Sequence, residues 1–315
     1  MNIVICEPLG ISDSALAAFT APLTEAGHRV TAYADKAEGD VLCRRVAEAD
    51  IAVIANAPFP AEAVAAAPRL RYLNVAFTGV DHVVMDACRA RGILVSNAAG
   101  YSDQAVAELV LGQALSLLRH TAACDGAVRS LQGSAGLRGG EIAGRVVGII
   151  GLGRIGLRVA QLMRAFGAEV IATSPHEKEA ARALGVRYVS LEALLREADI
   201  VTLHAPSNAS TRGMIGPAQL ALMKPTAYFI NCARGALVDS AALADALNTG
   251  RIAGAAVDVF PAEPPLSPDE PLLHARNCLL TPHVAFNTEE SMLRRAKIVF
   301  GNLAAYLAGE PRNLV

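Results

Sequence analysis

Val146-Val147-Gly148-Ile149-Ile150-Gly151-Leu152-Gly153-Arg154-Ile155-Gly156 is an apolar run that ends in three spaced glycines. The run reads as a strand buried on both faces, and Arg158–Phe166 behind it continues as a helix. In that strand–turn–helix setting each glycine has its own task. Gly151 permits the tight turn, Gly153 lets backbone approach a pyrophosphate, and Gly156 lets helix and strand pack closely. The helix start presents free N–H groups and a positive dipole end to phosphate oxygens, so Arg154 and Ile155 join the glycines as cofactor contacts. The unit begins near the middle of the chain, so what precedes it must build another domain.

The first hundred residues alternate short apolar runs with amphipathic stretches. The spacing predicts strands at Ile3–Cys6, Arg29–Tyr33, Ile51–Ala55, Tyr72–Val75 and Ile93–Val95, with helices such as Asp13–Ala26 and Ala61–Ala67 between them. Ser102 to Arg119 reads as one long apolar helix. A second series of strands follows: Val146–Ile150, Glu169–Thr173, Ile200–His204, Ala227–Ile230, Ala253–Val257 and Cys278–Leu280. A final helix, Glu289–Leu307, falls after the second series has used its strands, so it is expected to cross back onto the first domain. The expected architecture is α/β with two doubly wound parallel-sheet domains. Residues 1–100 plus 288–315 form one, residues 101–287 the other, and two crossings would leave a ligand cleft between them.

The end of the second strand of that dinucleotide unit is unusual. A site for NAD places Asp or Glu there to accept from the ribose hydroxyls, whereas this chain reads Thr173-Ser174-Pro175-His176-Glu177-Lys178. Glu169 comes too early, at the strand's start. Without a carboxylate a 2′-phosphate is not repelled, and His176 or Lys178 can supply positive charge, which tips the balance toward NADPH. The alternative is Ser174 on the ribose of NADH, with His176 and Lys178 solvated.

Three later strands end in polar residues: Asn231-Cys232-Ala233-Arg234-Gly235, Asp258-Val259-Phe260-Pro261-Ala262-Glu263-Pro264 and Thr281-Pro282-His283-Val284-Ala285. Ligands bind beyond the carboxyl ends of parallel strands, so these tips are expected to converge. An arginine, a glutamate and a histidine are what reduction of a 2-oxo acid requires. The cation holds the carboxylate and polarises the ketone, the imidazole gives a proton, and the carboxylate orients the imidazole and favours its protonated form.

With Gly79-Val80-Asp81-His82, Ala105-Val106-Ala107-Glu108 and Leu203-His204-Ala205-Pro206, these pieces resemble the D-isomer-specific 2-hydroxyacid dehydrogenase family over essentially the whole length. The resemblance implies Arg234 as the substrate-binding arginine, Glu263 as the histidine's partner and His283 as acid/base. It implies Asp258 beside the nicotinamide carboxamide, and backbone N–H groups around Phe77, Thr78 and Gly79 on the substrate carboxylate. His204 and Pro206 then belong to the cofactor wall, and Cys232 is a small filler there rather than a nucleophile. A Rossmann NAD(P)-binding domain inserted into a flavodoxin-like catalytic domain is implied, as is a homodimer made largely by the helix and loop after Tyr101.

Within that resemblance the substrate narrows. The loops Ala55-Asn56-Ala57 and Val75 to Gly79 carry no Arg or Lys, and the chain ends at Val315 without a regulatory domain, so a phosphorylated substrate is disfavoured. Phe77 and Tyr101 would line a small pocket suited to glyoxylate or hydroxypyruvate. A phosphoglycerate dehydrogenase-like enzyme and an NAD(H)-sensing protein-interaction module of co-repressor type are the alternatives. Composition sets outer limits: 315 residues, 53% apolar and a net charge of −2 give no reason to expect nucleic acid or an anionic membrane as partner. Glu108 and Gln113 interrupt the longest apolar stretch, and the first residues read as a strand, not a signal peptide. Six cysteines without metal-ligand spacing read as buried free thiols in a reducing cytoplasm, with no metal site.

Overall fold

The structure, a computed structural model, describes residues 1–262 and 265–315, which fall into two compact units. One comprises Met1–Ser102 with Asn287–Val315, the other Asp103–Phe286. Among the described residues no helix is long and apolar enough to cross a membrane.

The first unit is built on five parallel strands: β1 (Asn2–Ile5), β2 (Arg29–Ala32), β3 (Ile51–Ile54), β4 (Tyr72–Val75) and β5 (Leu94–Asn97). Their order is β2-β1-β3-β4-β5, a doubly wound arrangement. β3 and β4 are buried at every residue, which is why β3 reads as a continuous apolar run and β4 as one broken only by the buried Asn74. The helix Glu289–Leu307 belongs to this unit. Thr288 caps its start by accepting from Ser291 N, and Phe300 and Tyr306 stack on Phe19 and Tyr72 with ring centroids 4.9 and 4.2 Å apart. A buried asparagine on each side ties helix to sheet: Asn74 Nδ2 donates to Val299 O (2.8 Å) and Asn302 Nδ2 to Asn97 O (2.9 Å).

The second unit holds seven parallel strands: β6 (Val146–Ile150), β7 (Glu169–Thr173), β8 (Arg187–Tyr188), β9 (Ile200–Leu203), β10 (Tyr228–Asn231), β11 (Gly254–Val257) and β12 (Cys278–Leu280). The order β12-β11-β10-β9-β6-β7-β8 reverses direction between β6 and β9, the switch point at which such sheets take ligands. The helix Asp103–Leu118 covers one face through Val106, Val110, Ala114 and Leu117, with Gln113 buried in the same stripe.

Two expectations are corrected. The helix after the glycines starts at Arg154 rather than Arg158, because Gly153 is already its cap and Gly156 is inside it. Of the six free cysteines only Cys6, Cys88 and Cys232 are buried, while Cys43, Cys124 and Cys278 are half-buried.

Candidate active site

At the switch point the glycines separate by what surrounds them. Gly151 has φ +92°, and a Cβ there would lie 2.6 Å from Ala205 N on the neighbouring strand's continuation. A Cβ on Gly156 would collide with the carbonyl oxygen of Gly151. Gly153 has an ordinary φ and nothing within 4 Å of its would-be Cβ. The open side faces the first turn of a twelve-residue helix, so the cradle fits a dinucleotide pyrophosphate on its own geometry. Gly153→Ala should therefore leave thermal stability unchanged and weaken NADH binding by about tenfold or more, ~1.4 kcal/mol. Gly156→Ala should instead lower stability; fluorescence titration and thermal denaturation separate the two.

Around that cradle the expected cofactor residues take different positions. The Arg154 side chain is paired with Asp103 (Nε to Oδ2, 2.7 Å) and largely exposed, so what it and Ile155 offer is backbone. Ser174 is half-buried beyond β7, His176 is exposed, and Glu169 pairs with Arg187. Pro206 is exposed, and its carbonyl accepts from Thr211 Oγ1 at 2.7 Å. His204 N donates to Ile150 O at 2.7 Å across the switch point, and its Nε2 lies 2.9 Å from Thr202 Oγ1. Part of the residue reaches the surface, yet the imidazole is enclosed by protein, and this desolvation takes its pKa down to about 4.

The His204 ring is therefore neutral at ordinary pH and carries no proton for catalysis. An unfolded chain protonates it near 6.5 and the folded chain only near 4, so its stabilising contribution is complete above 6.5 and lost as pH falls toward 4. The loss is on the order of 3 kcal/mol. His204→Gln should flatten that part of a melting-temperature-against-pH curve.

The three polar strand tips lie side by side. β10, β11 and β12 are neighbours in register, with Asn231 opposite Val257 and Val257 opposite Leu280. Arg234, Asp258 and His283 therefore leave the same edge of the sheet. Arg234 is half-buried and held by its neighbours: Asn231 Nδ2 donates to Arg234 O (3.1 Å), and Arg234 Nη1 donates to Ala233 O (2.8 Å). Gly235 has no room for a side chain, since a Cβ would run into the backbone of Phe260 and Pro261. Glu263, the expected partner of the histidine, lies outside the described residues.

His283 sits in a left-handed turn (φ +54°) and is half-buried, with its ring edge-on to Phe286 at 5.4 Å. A β-carbon is strained there, so the turn must be held from outside. Asp258 holds it. The fully buried carboxylate accepts from Val284 N and Ala285 N (both 2.9 Å) and from Thr281 Oγ1 (2.6 Å), while Asp258 O accepts from His283 N (2.8 Å). The bonds continue inward: Gln113 Nε2 donates to Thr281 Oγ1 (3.3 Å), and Cys232 Sγ donates to Gln113 Oε1 (3.1 Å). Burial, with Asp258 nearby, drives the Cys232 thiol pKa well above its ordinary value, so it stays a protonated donor.

The sequence singled out Asp258 and Cys232 but not Gln113 or Thr281. The available signal was one amide on an otherwise apolar helix face, which a buried site must satisfy. Thr281→Val should cost about 1–3 kcal/mol by leaving Asp258 and Gln113 each short of a partner, and Thr281→Ser should restore most of it in thermal denaturation.

In the first unit, Phe77, Thr78 and Gly79 follow β4. The carbonyls of Phe77 and Thr78 are tied to Ala98 N (2.9 Å) and Asn97 Nδ2 (2.8 Å). Thr78 Oγ1 is buried with no partner among the described residues. The rings of Phe77 and Tyr101 are 6.0 Å apart and buried. No group of side chains suited to a metal ion is found among the described residues.

Comparison with known proteins places these features in company. Residues 111–285 match the family model described as D-isomer specific 2-hydroxyacid dehydrogenase, NAD binding domain. A glyoxylate reductase of Aeropyrum pernix is 41% identical over 259 residues, covering 79% of this chain and 77% of that protein. A D-3-phosphoglycerate dehydrogenase of Mycobacterium tuberculosis is 40% identical over 281 residues, 88% of this chain but 53% of that protein. The chain thus spans about half the length of the phosphoglycerate dehydrogenases it matches. Among solved structures, an acyclic imino acid reductase in complex with NADPH and D-Arg superposes with a TM-score of 0.91 at 28% identity, covering all of both chains.

Proposed function

Because this chain belongs to the D-isomer specific 2-hydroxyacid dehydrogenase family, we propose that it interconverts a small 2-oxo acid and its D-2-hydroxy acid. The observation that carries the reading is the shared edge of β10, β11 and β12, from which Arg234, Asp258 and His283 all emerge. When bound, the nicotinamide supplies the hydride for the carbonyl carbon. Arg234 pairs with the substrate carboxylate and draws charge toward the ketone oxygen. His283 delivers the proton to that oxygen in reduction and takes it back in oxidation. Glu263 is proposed as the partner that orients the imidazole. Asp258 acts by fixing the turn that carries His283. The orphan Thr78 hydroxyl supports Phe77 to Gly79 as the seat of the substrate carboxylate in the first unit, which makes that unit the substrate domain.

Glyoxylate and hydroxypyruvate are the first substrates to test, with NADPH favoured over NADH because Ser174 follows β7 where a site for NAD places an acid. A homodimer is proposed as well. The helix Thr121–Arg129 has no buried residue, and Val128 within it and Leu131 just behind it are 71% and 96% exposed, which suits a surface covered by a second copy.

The test is the loss of NADH and NADPH absorbance with glyoxylate, hydroxypyruvate, pyruvate, 3-phosphohydroxypyruvate and bulkier 2-oxo acids in parallel. Turnover of a small member supports the reading. Tight NADH binding with no turnover of any would replace it with a sensing role.

A further inference from the structure

The helix Glu289–Leu307 lays Met292, Ala296, Val299, Phe300 and Leu303 on the first unit, and Arg295 falls in the middle of this stripe. Arg295 is only 4% exposed. Its Nη2 donates to Leu9 O at 2.7 Å, and its guanidinium carbon lies 5.8 Å from the centre of the Tyr101 ring. Its Nε is buried and meets no acceptor within bonding distance, and the neutral Tyr101 hydroxyl is the side-chain group that acts on the guanidinium ahead of any acid. Among the described residues no carboxylate stands within ion-pair distance of it. Glu7 is the acid that acts on it from further off, and Glu7 Oε1 is already committed to Ala55 N (2.7 Å) and Ala57 N (3.0 Å).

A guanidinium carries five donors and does not surrender its charge, so a buried one is ordinarily matched by an anion with fork geometry. Here that anion is missing. The position of the gap is informative. Glu7 and Leu9 follow β1, Ala55 to Ala57 follow β3, Phe77 to Gly79 follow β4, and Tyr101 comes shortly after β5. All belong to the carboxyl edge of the sheet, where parallel sheets take their ligands. Tyr101 links the two ends of this edge, one side of its ring toward Arg295 and its centroid 6.0 Å from that of Phe77. The loop after β4 has its own orphan in the Thr78 hydroxyl. The strand-tip loops read in the sequence hold no cation; it arrives instead from the last helix.

We propose that Arg295 binds a second anionic group of the substrate, so that the preferred 2-oxo acid carries a distal carboxylate or phosphate besides its C1 carboxylate. The inference rests on the 2-hydroxyacid dehydrogenase reading above and moves its preferred substrate from glyoxylate and hydroxypyruvate, which carry one anionic group, to a doubly anionic 2-oxo acid.

Equilibrium binding to the NADH-saturated enzyme tests it without turnover. D-lactate, D-malate, D-2-hydroxyglutarate and 3-phospho-D-glycerate are titrated by calorimetry. At least one doubly anionic ligand should bind about tenfold or more tighter than D-lactate, and which one it is separates carboxylate from phosphate. Arg295→Met should erase that advantage while leaving D-lactate within about threefold of the parent. Arg295→Lys keeps the charge without the fork and should lose part of it; if the methionine variant fails to fold, this selective loss decides the matter. No advantage for any doubly anionic ligand, or an equal loss for all four in either variant, would overturn the proposal. Turnover of the 2-oxo acid panel, doubly anionic members included, is followed alongside. No turnover of any member with the anion advantage intact would remove the reductase reading and leave the Arg295 site standing.

Discussion

Arg234→Ala should lower kcat/KM for glyoxylate by about 10²–10³-fold while thermal stability and NADH affinity stay close to the parent values. The side chain is half-buried at a strand tip, and apart from the bond from its Nη1 to Ala233 O the backbone around it is fixed by other groups. Asn231 accepts from Ala233 N and donates to Arg234 O, and Gly235 packs against the Phe260–Pro261 peptide. Removing the side chain therefore takes away charge without moving the strand end. What is lost is the attraction to a substrate carboxylate and to the negative charge that grows on the ketone oxygen. Arg234→Lys should recover only part, because an ammonium offers a point charge in place of two parallel N–H groups. Undiminished glyoxylate reduction by the alanine variant would remove the site from consideration.

Replacing His283 tests the proton. The residue occupies φ +54°, so the substitution must be one the left-handed region accepts, and asparagine is the choice. His283→Asn should keep the turn on Asp258 and reduce kcat by about 10²–10⁴-fold. The loss should fall on reduction and oxidation alike, since the proposal gives one imidazole both roles. A variant that keeps most of its rate in either direction would show that the proton comes from elsewhere.

Much of this arrangement is legible in the chain because parallel strands buried on both faces leave continuous apolar runs. β4, β6, β7 and β12 fall where those runs do, β2, β3, β9 and β11 differ by one residue at one end, and β1, β5 and β10 are shifted at both ends. What lacks an apolar run is not legible. β8 is two residues, Arg187 and Tyr188, held at the sheet's edge, and the helix Thr121–Arg129 buries nothing within the chain and so has no stripe to read. The helix start at Arg154 was obscured by Gly156, which resembles a turn residue but is needed inside the helix to clear Gly151. Two contributions are invisible for a different reason. Gln113, Cys232, Thr281 and Asp258 come from four separate segments, so only the folded sheet brings them together. Arg295 reads as one more basic residue on a helix until its neighbours show how little water reaches it.

The bonds that begin at Cys232 and end on Asp258 have a sense of travel. The thiol gives to the amide oxygen, the amide nitrogen gives to the threonine, and the threonine gives to the carboxylate. Position 113 must therefore receive from one neighbour and supply the next, which an amide does and neither glutamate nor leucine can. An isosteric glutamate would set two anions competing for a single threonine hydrogen, and the polarity of the whole line would reverse at its middle. The tolerance of this sheet edge to change is thus governed by a residue on the helix packed against the sheet, and not by the strand tips alone.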